Sequence, residues 1–374
     1  MSIAHANVIP RAATVPNTAA VRDARIDAAK AVAIVLVVLG HAKGIPAWFA
    51  TAVYSFHVPA FFVLSGWFAT RRAGDDPRAL VVKLTRSLLV PYAVFFFAAY
   101  AYWLLTRGIG EKAQRWGDVP WWDPLTGFVS GIGPQLYVNP ALWFLPAMFV
   151  TVPAYALLRR VLSPWTLALV SLPFALMWIA PGSIGLFPRA GIRLPFALDV
   201  LPVALAFYAI GAAVSGMQSP WRTPHAAGIA MVLLLPSWAV LAWANGRVDV
   251  VQLRFGASGW MFFAAALLGT ALLLCASASL TRMRALQWIG RNTLLILCTH
   301  MPVFFVLSGV ASLAGSFADD KPGPAWALSI SLLALALCVP MRAIFARWAP
   351  WALGRVGNPR AGRAGAVRVQ RKEE

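Results

Sequence analysis

The 374 residues of this chain are 60% hydrophobic and only 12% charged, whereas soluble domains carry about 25% charged residues. This composition excludes an ordinary soluble globular protein and predicts a chain embedded in the lipid bilayer. The formal net charge of +19 is better explained by membrane topology than by nucleic-acid binding, and we predict no nucleic-acid partner.

Windows of about 20 apolar residues, each long enough to cross a bilayer, follow one another along most of the chain. Residues 1–24 precede them, lack the apolar core of a signal peptide and are predicted to be a disordered cytoplasmic tail. Residues 347–374 are predicted to be a basic cytoplasmic tail. The predicted fold is an all-α integral membrane protein, a polytopic bundle of about ten transmembrane helices at residues 28–46, 50–69, 86–106, 140–158, 163–181, 195–215, 227–244, 257–278, 292–311 and 325–346.

The distribution of basic residues predicts the orientation of these spans. With the N-terminus in the cytoplasm, 23 of the 32 lysines and arginines lie on the inner side, which is the bias that cytoplasmic loops show. An even number of spans then places both termini in the cytoplasm. The remaining nine basic residues fall outside: Lys43, Arg107, Lys112, Arg115, Arg189, Arg193, Arg247, Arg254 and Lys321.

The first span contains two ionisable residues on one helix face. Lys30 and His41 are eleven residues apart, which is about three helical turns and ~16 Å along the axis. A lysine at the centre of a span costs ~2.5–3.5 kcal/mol, so such residues are usually functional. We predict a polar path along this helix, with Asp27 pairing with Lys30 at its cytoplasmic edge. The alternative for Lys30 is an anchor that reaches the membrane interface.

Two more histidines lie inside spans. His57 is in the second span and is followed by Pro59, which loosens a helix, and His300 lies about mid-depth in the ninth span. Each histidine alone fits a packing residue bonded across helices. Together with His41 they predict one cavity where a proton is transferred.

Basic residues cluster at the predicted cytoplasmic ends of the spans. Arg71, Arg72 and Arg86 lie between the second and third spans, and Arg291 with Asn292 begins the ninth helix. A helix N-terminus beside arginines suits a phosphate-bearing ligand. The alternative is an orientation signal that contacts anionic lipids.

The longest connection, residues 107–139, lies on the predicted outer side and is rich in aromatic residues. Its aromatic side chains suit either an interfacial belt or a flat platform for an extracytoplasmic substrate such as a sugar. They include Trp116, Trp121, Trp122, Phe128 and Tyr137.

The three cysteines, Cys275, Cys298 and Cys338, lie in apolar segments without the spacing of metal or redox motifs. The chain also has no Walker A loop, no G-x-S-x-G elbow and no H-E-x-x-H sequence. We predict no metal site and no bound cofactor, with the cysteines packing as small apolar residues.

Five segments together resemble a known family. The opening segment joins a basic residue and a histidine separated by ten positions, and the next has the form F-H-x-P-x-F-F-x-x-S-G. In this order the chain resembles the membrane acyltransferase-3 family, and within it the fucose 4-O-acetylase-like group. The segments are RIDAAKAVAIVLVVLGH (25–41), YSFHVPAFFVLSGWF (54–68), NPALWFLPAMF (139–149), ALDVLPVALAFYAIGA (197–212) and IGRNTLLILCTH (289–300).

The resemblance implies a multi-pass enzyme of the inner cell membrane whose acyltransferase domain spans residues 25–346. Such an enzyme takes an acyl group, usually acetyl, from cytoplasmic acyl-CoA and delivers it to a hydroxyl of an extracytoplasmic sugar. Acetyl-CoA is then a co-substrate, and the acceptor is a carbohydrate or lipid-linked glycan. The family's SGNH-type domain has no counterpart here, so the chain completes the transfer alone or with a separate partner.

The resemblance also assigns roles to individual residues. His41, His57 and His300 are the expected catalytic histidines, and Lys30 takes the basic position where many members have arginine. The expected donor- and substrate-binding residues are Lys30, Asp27, Arg25, Arg71, Arg72, Arg86, Arg291, Asn292, Asn139, Trp143 and Asp199.

The predicted function is therefore membrane O-acyltransferase. Two alternatives stay open at this point. One is a multi-span transporter in which the histidines relay protons, and the other is an acyltransferase that modifies a small intracellular metabolite.

Overall fold

The computed structural model of the protein describes residues 23–69, 76–180, 193–215, 217, 223–315 and 322–354. Within these ranges the chain is helical, with one isolated β-bridge between Asp249 and Arg254 and no strand. The α-helices are α1 Ala24–His41, α2 Ala47–Tyr54, α3 His57–Gly66, α4 Pro77–Leu84, α5 Val90–Thr106, α6 Glu111–Trp116, α7 Asp123–Ser130, α8 Phe144–Leu158, α9 Pro164–Ile179, α10 Leu201–Val214, α11 Pro224–Asn245, α12 Gly259–Leu280, α13 Arg284–Arg291, α14 Thr293–Leu313 and α15 Pro324–Trp348.

Eight helical segments of the described chain are long and apolar enough to cross a membrane: Ala47–Gly66, Pro77–Thr106, Pro140–Leu158, Pro195–Val214, Pro224–Asn245, Gly259–Leu280, Thr293–Leu313 and Pro324–Trp348. The first predicted span corresponds to α1, which carries three charged residues, and the fifth to α9, which has only 16 residues. Every predicted span thus overlaps a helix, and the all-α membrane bundle is confirmed. The count of ten and the cytoplasmic position of both termini stay predictions.

The predicted tails fall mostly outside the described residues. Residues 1–22 and 355–374 are not described, whereas α15 continues to Trp348 and a 3₁₀ helix follows at Pro350–Leu353. Ala352 and Leu353 in this short helix are buried. The chain therefore stays packed against the bundle beyond residue 346.

Helix α1 lies at the centre of the bundle. It contacts α3, α12, α13 and α14, and its alanines Ala28, Ala29, Ala31 and Ala33 are fully buried. Small residues let helix backbones approach closely where no hydrophobic driving force exists within the membrane. This packing encloses the face that carries Lys30 and His41 within protein, where their polar groups avoid lipid.

Glycines allow α3 and α10 to pack backbone against backbone. A Cβ atom on Gly66 would clash with the carbonyl oxygen of Tyr208, and one on Gly211 would clash with the carbonyl oxygen of Val63. Because both obstacles are backbone atoms, neither moves aside without shifting a helix. This contact holds α3, and with it His57, in place.

We expect Gly211→Ala to lower the free energy of unfolding by ~1–3 kcal/mol, the usual cost of overpacking a tight contact. Thermal unfolding of the purified protein in detergent measures the change. Gly228→Ala is the matched control, because Gly228 is also helical but has no atom near its Cβ position. Equal melting temperatures for the two variants would show that the contact between α3 and α10 is not tight.

Candidate active site

A cavity of about 240 Å³ runs beside α1 and joins the two ionisable residues of that helix. One end is lined by Lys30, Phe68 and Thr293, and the other by His41 and His57. The wall between these ends is largely apolar, with Ile34, Val37, Phe61, Phe144, Met148 and Leu297 among its residues. The cavity therefore has a largely apolar lining that includes Lys30 and, about three helical turns away on the same helix, His41.

Three histidines from different helices meet at one end of this cavity. The ring centroids of His41, on α1, and His300, on α14, lie 5.4 Å apart. His57, on α3, is joined to them through Tyr54, whose ring centroid is 4.8 Å from that of His57 and 6.0 Å from that of His41. His41 and His57 line the cavity, and His300 is fully buried behind them.

The break between α2 and α3 orients His57. Pro59 has no N–H to continue the helical hydrogen bonds, and the chain leaves helical geometry at Phe56 before α3 begins. His57 Nδ1 lies 2.9 Å from the carbonyl oxygen of Val53. A carbonyl only accepts hydrogen bonds, so Nδ1 carries the proton. In the neutral ring, Nε2 therefore has the free lone pair.

His300 is oriented in the same way. Its Nδ1 donates to the carbonyl oxygen of Ile296 at 2.9 Å, which leaves Nε2 as the lone-pair nitrogen. That Nε2 is buried and has no hydrogen-bond partner among the described residues. It is a base with an unused acceptor position.

Asn139 supports α14 next to His300. Pro302 interrupts α14, and since proline has no N–H, it leaves the carbonyl of Cys298 without its usual donor. Asn139 Nδ2 donates to that carbonyl oxygen at 2.8 Å, while its Oδ1 is buried and has no partner in the described chain. Asn139 lies next to the histidine cluster and supports α14 there, and its predicted role in binding substrate stays a prediction.

Two residues near the histidines were missed in the sequence. Tyr54 hydroxyl lies 3.3 Å from His41 Nδ1, and the guanidinium carbon of Arg247 lies 4.1 Å from the centroid of the Tyr54 ring. In the sequence, the only feature that pointed to Tyr54 was its position three residues before His57. Arg247 follows α11, and nothing in the sequence except its charge indicated a place in the site.

The residues predicted to bind the donor are spread along the opposite end of the bundle. Lys30 Nζ lies 4.6 Å from the centroid of the Phe68 ring. Asp27 is buried, with its carboxylate 3.8 Å from Arg291 Nε, and more than half of the Arg291 side chain is exposed. Asn292 donates to the carbonyl oxygen of Trp288 and accepts from Arg342 Nε at 3.0 Å.

The other residues predicted to bind donor or substrate lie apart from one another. Trp143 lines the cavity, and Arg86 is exposed outside it. Arg25 pairs with Asp23 at the start of α1, and Asp199 pairs with Arg193 without lining the cavity. Arg71 and Arg72 lie outside the described residues.

The aromatic side chains of residues 107–139 have different surroundings, and Phe128 packs against the rings of Tyr92, Phe96 and Phe97 on α5. The rings of Trp116 and Tyr137 stack with centroids 4.6 Å apart, so each ring covers one face of the other. Burial and a hydrogen bond to Asp123 raise the pKa of Tyr137 above its ordinary value, which keeps its hydroxyl protonated. Trp121 and Trp122 are exposed, as in an interfacial aromatic belt.

In the part of the chain that the structure describes, no three His, Cys, Asp or Glu side chains are arranged to hold a metal ion. The cavity instead offers two imidazoles, a lysine and largely apolar walls. This set of groups can accept a proton and enclose a small apolar group away from water.

Comparison with known proteins identified one family. Residues 23–343 match the acyltransferase-3 family model, described as an acyltransferase domain. No curated protein and no solved structure matches the chain. The matched range covers α1 to α14 and most of α15, and so includes the whole cavity.

Proposed function

Because the chain belongs to the acyltransferase-3 family, we propose that this membrane acyltransferase moves an acetyl group from cytoplasmic acetyl-CoA to a hydroxyl of an extracytoplasmic sugar. The acceptor is a surface polysaccharide or a lipid-linked glycan, and the enzyme acts in the inner cell membrane. The fucose 4-O-acetylase-like subgroup stays a prediction.

The cavity beside α1 is the observation that carries this proposal. It places Lys30 at one end and His41 at the other, on one buried helix. A donor that reaches the Lys30 end and an acceptor that reaches the His41 end are then connected through protein. An acyl group bound to a flexible thiol arm can pass along such an apolar passage without meeting lipid or bulk water.

Neutral imidazoles suit the chemical step. An acceptor hydroxyl gives its proton to a histidine Nε2 as its oxygen attacks the thioester carbonyl carbon. The carbon–sulfur bond then breaks, and the CoA thiolate leaves and takes up the proton, so that an ester and free CoA are formed. We propose His41 as this base or as the group that carries the acyl transiently, with His57 and His300 orienting the substrate or passing the proton.

The opposite end suits an anionic donor. Lys30 lines the cavity, and Arg291 reaches the surface beside it on α13, against α1. Cations of this kind attract the phosphates of CoA. In the proposal, Lys30 holds the thioester end of the donor and the more exposed arginines bind its nucleotide.

Mass spectrometry of surface glycans tests the proposal directly. Glycans from cells that contain the protein should carry base-labile acetyl groups that disappear when its gene is deleted and return when it is restored. Acetylated small molecules in the cytosol, with an unmodified surface glycan, would favour an intracellular acceptor. Proteoliposomes that move a solute but never consume acetyl-CoA would favour the transporter and contradict the proposal.

A further inference from the structure

We propose that Tyr54 is a positioning residue for His41: its hydroxyl holds the imidazole in the tautomer with the proton on Nδ1, and Arg247 clamps the Tyr54 ring. The inference rests on the proposed function for its kinetic consequence. Its structural content, the protonation pattern of His41, is measured independently of any acyl transfer.

The first step concerns the hydroxyl proton of Tyr54. The hydroxyl lies 3.5 Å from the carbonyl oxygen of Gly40 and 3.3 Å from His41 Nδ1. The last carbonyls of a helix have no intrahelical donor, and among the described residues no backbone N–H outside the helices donates to the Gly40 carbonyl oxygen. In the proposed arrangement the hydroxyl proton goes to the Gly40 carbonyl, and the phenolic oxygen accepts a hydrogen bond from His41 Nδ1.

The second step compares the three imidazoles. Nδ1 of His57 and Nδ1 of His300 each donate to a backbone carbonyl, four residues earlier in the chain. His41 lies in the last turn of α1, and its Nδ1 faces a tyrosine oxygen from another helix. The Tyr54 oxygen thus accepts the Nδ1 proton of His41, as backbone carbonyls accept the Nδ1 protons of His57 and His300. All three rings would then share one tautomer, with the proton on Nδ1 and the lone pair on Nε2.

The third step explains how Tyr54 is held. Its ring contacts both the guanidinium of Arg247, whose carbon is 4.1 Å from the ring centroid, and the ring of His57, whose centroid is 4.8 Å away at an interplanar angle of 68°. A guanidinium over an aromatic face is attracted by the ring's electrons. The Tyr54 ring therefore cannot swing away from His41 without losing both contacts.

The segment that carries Arg247 is itself braced. Asn245 Nδ2 donates to the carbonyl of Phe255, and its Oδ1 accepts from the backbone N–H of Ser258, both at 2.9 Å. Asp249 and Arg254 exchange two backbone hydrogen bonds across the segment. A loop closed in this way presents Arg247 from a fixed position, which is what a clamp needs.

Tyr54→Phe tests the inference, because phenylalanine keeps the ring in contact with Arg247 and His57 and removes only the hydroxyl. We expect kcat for acetyl transfer to fall about 10- to 100-fold, since His41 then spends part of its time in the wrong tautomer. The KM for acetyl-CoA should stay within about twofold, because Tyr54 does not line the cavity end that holds Lys30. Tyr100→Phe is the matched control: it also removes a hydroxyl that donates to a carbonyl, that of Trp121, away from the histidines.

Solid-state NMR of the ¹⁵N-histidine-labelled protein gives the readout that a loss of stability alone would not change. The chain has only five histidines, and comparison with His41→Gln assigns the His41 signals. In the wild type and in Tyr100→Phe, His41 should carry its proton on Nδ1, whereas Tyr54→Phe should show a mixture of tautomers. An unchanged His41 spectrum in Tyr54→Phe, or equal activity of the two tyrosine variants, would overturn the proposal.

Arg247→Ala distinguishes two roles for Arg247: holding the Tyr54 ring in place, or contacting the substrate directly. If Arg247 acts through Tyr54, the alanine variant lowers kcat several-fold in the wild type and adds little when combined with Tyr54→Phe. An equal loss in both backgrounds would mean that Arg247 acts independently, and the clamp would be wrong. A wild-type protein that transfers no acetyl group would refute the proposed function, and the NMR result would still decide the tautomer.

Discussion

His41→Ala is expected to lower acetyl transfer by about 10²–10⁴-fold, the range over which a positioned general base accelerates a reaction. The loss should appear in kcat, because His41 lies at the opposite end of the cavity from Lys30, where the donor is proposed to bind. His57→Ala should come close to this effect, since His57 also lines the cavity. His300→Ala should cost less, because His300 lies behind His41 and reaches the substrate only through it.

The control for this series is His225→Ala. His225 is exposed near the start of α11, away from the three histidines. The transferred acetyl is measured with labelled acetyl-CoA and purified glycan, and the yield of folded protein by size-exclusion chromatography in detergent. Normal transfer by well-folded His41→Ala protein would remove His41 from the mechanism.

Leu297→Trp is expected to block the passage and lower acetyl transfer on the order of 100-fold. Leu297 lines the wall of the cavity on α14 and is only partly buried, so a larger side chain extends into the open space. The histidines and Lys30 keep their own contacts. The loss would then come from the path between the two ends rather than from the groups at either end.

Leu233→Trp is the matched control, because Leu233 is 69% exposed on α11 and a tryptophan there adds volume outside the bundle. Both variants are compared by labelled acetyl transfer and by melting temperature. If Leu297→Trp transfers acetyl groups as fast as the control at equal stability, the acyl group does not travel along this cavity.

Hydropathy and charge were sufficient to predict the long apolar helices, but not the short helices α6, α7 and α13 between them. Each of the ten predicted spans overlaps a helix, because twenty apolar residues in a row have few other stable arrangements in a bilayer. The relation between Lys30 and His41 was also predictable, since eleven residues in a helix always return to one face. The family followed from motifs that lie within single helices.

The surroundings of these motifs were not predictable. Tyr54 reaches His41 through a hydroxyl that crosses from α2 to α1, and Arg247 comes from a loop nearly 200 residues later in the chain. Asn139 supports α14 across 159 residues of sequence. Contacts of this kind leave no periodicity, because each depends on how separate helices pack.

The amino-acid sequence alone determined the membrane class, the helices, and the face of α1 that bears Lys30 and His41. These are local properties, set by side-chain transfer into lipid and by the geometry of one helix. Only the tertiary structure decided that the face lines a cavity, that His57 lines it with His41 while His300 lies behind them, and that Tyr54 and Arg247 lie beside these histidines. The physical reason is that a cavity is the space left between helices, and its shape belongs to their packing rather than to any one segment.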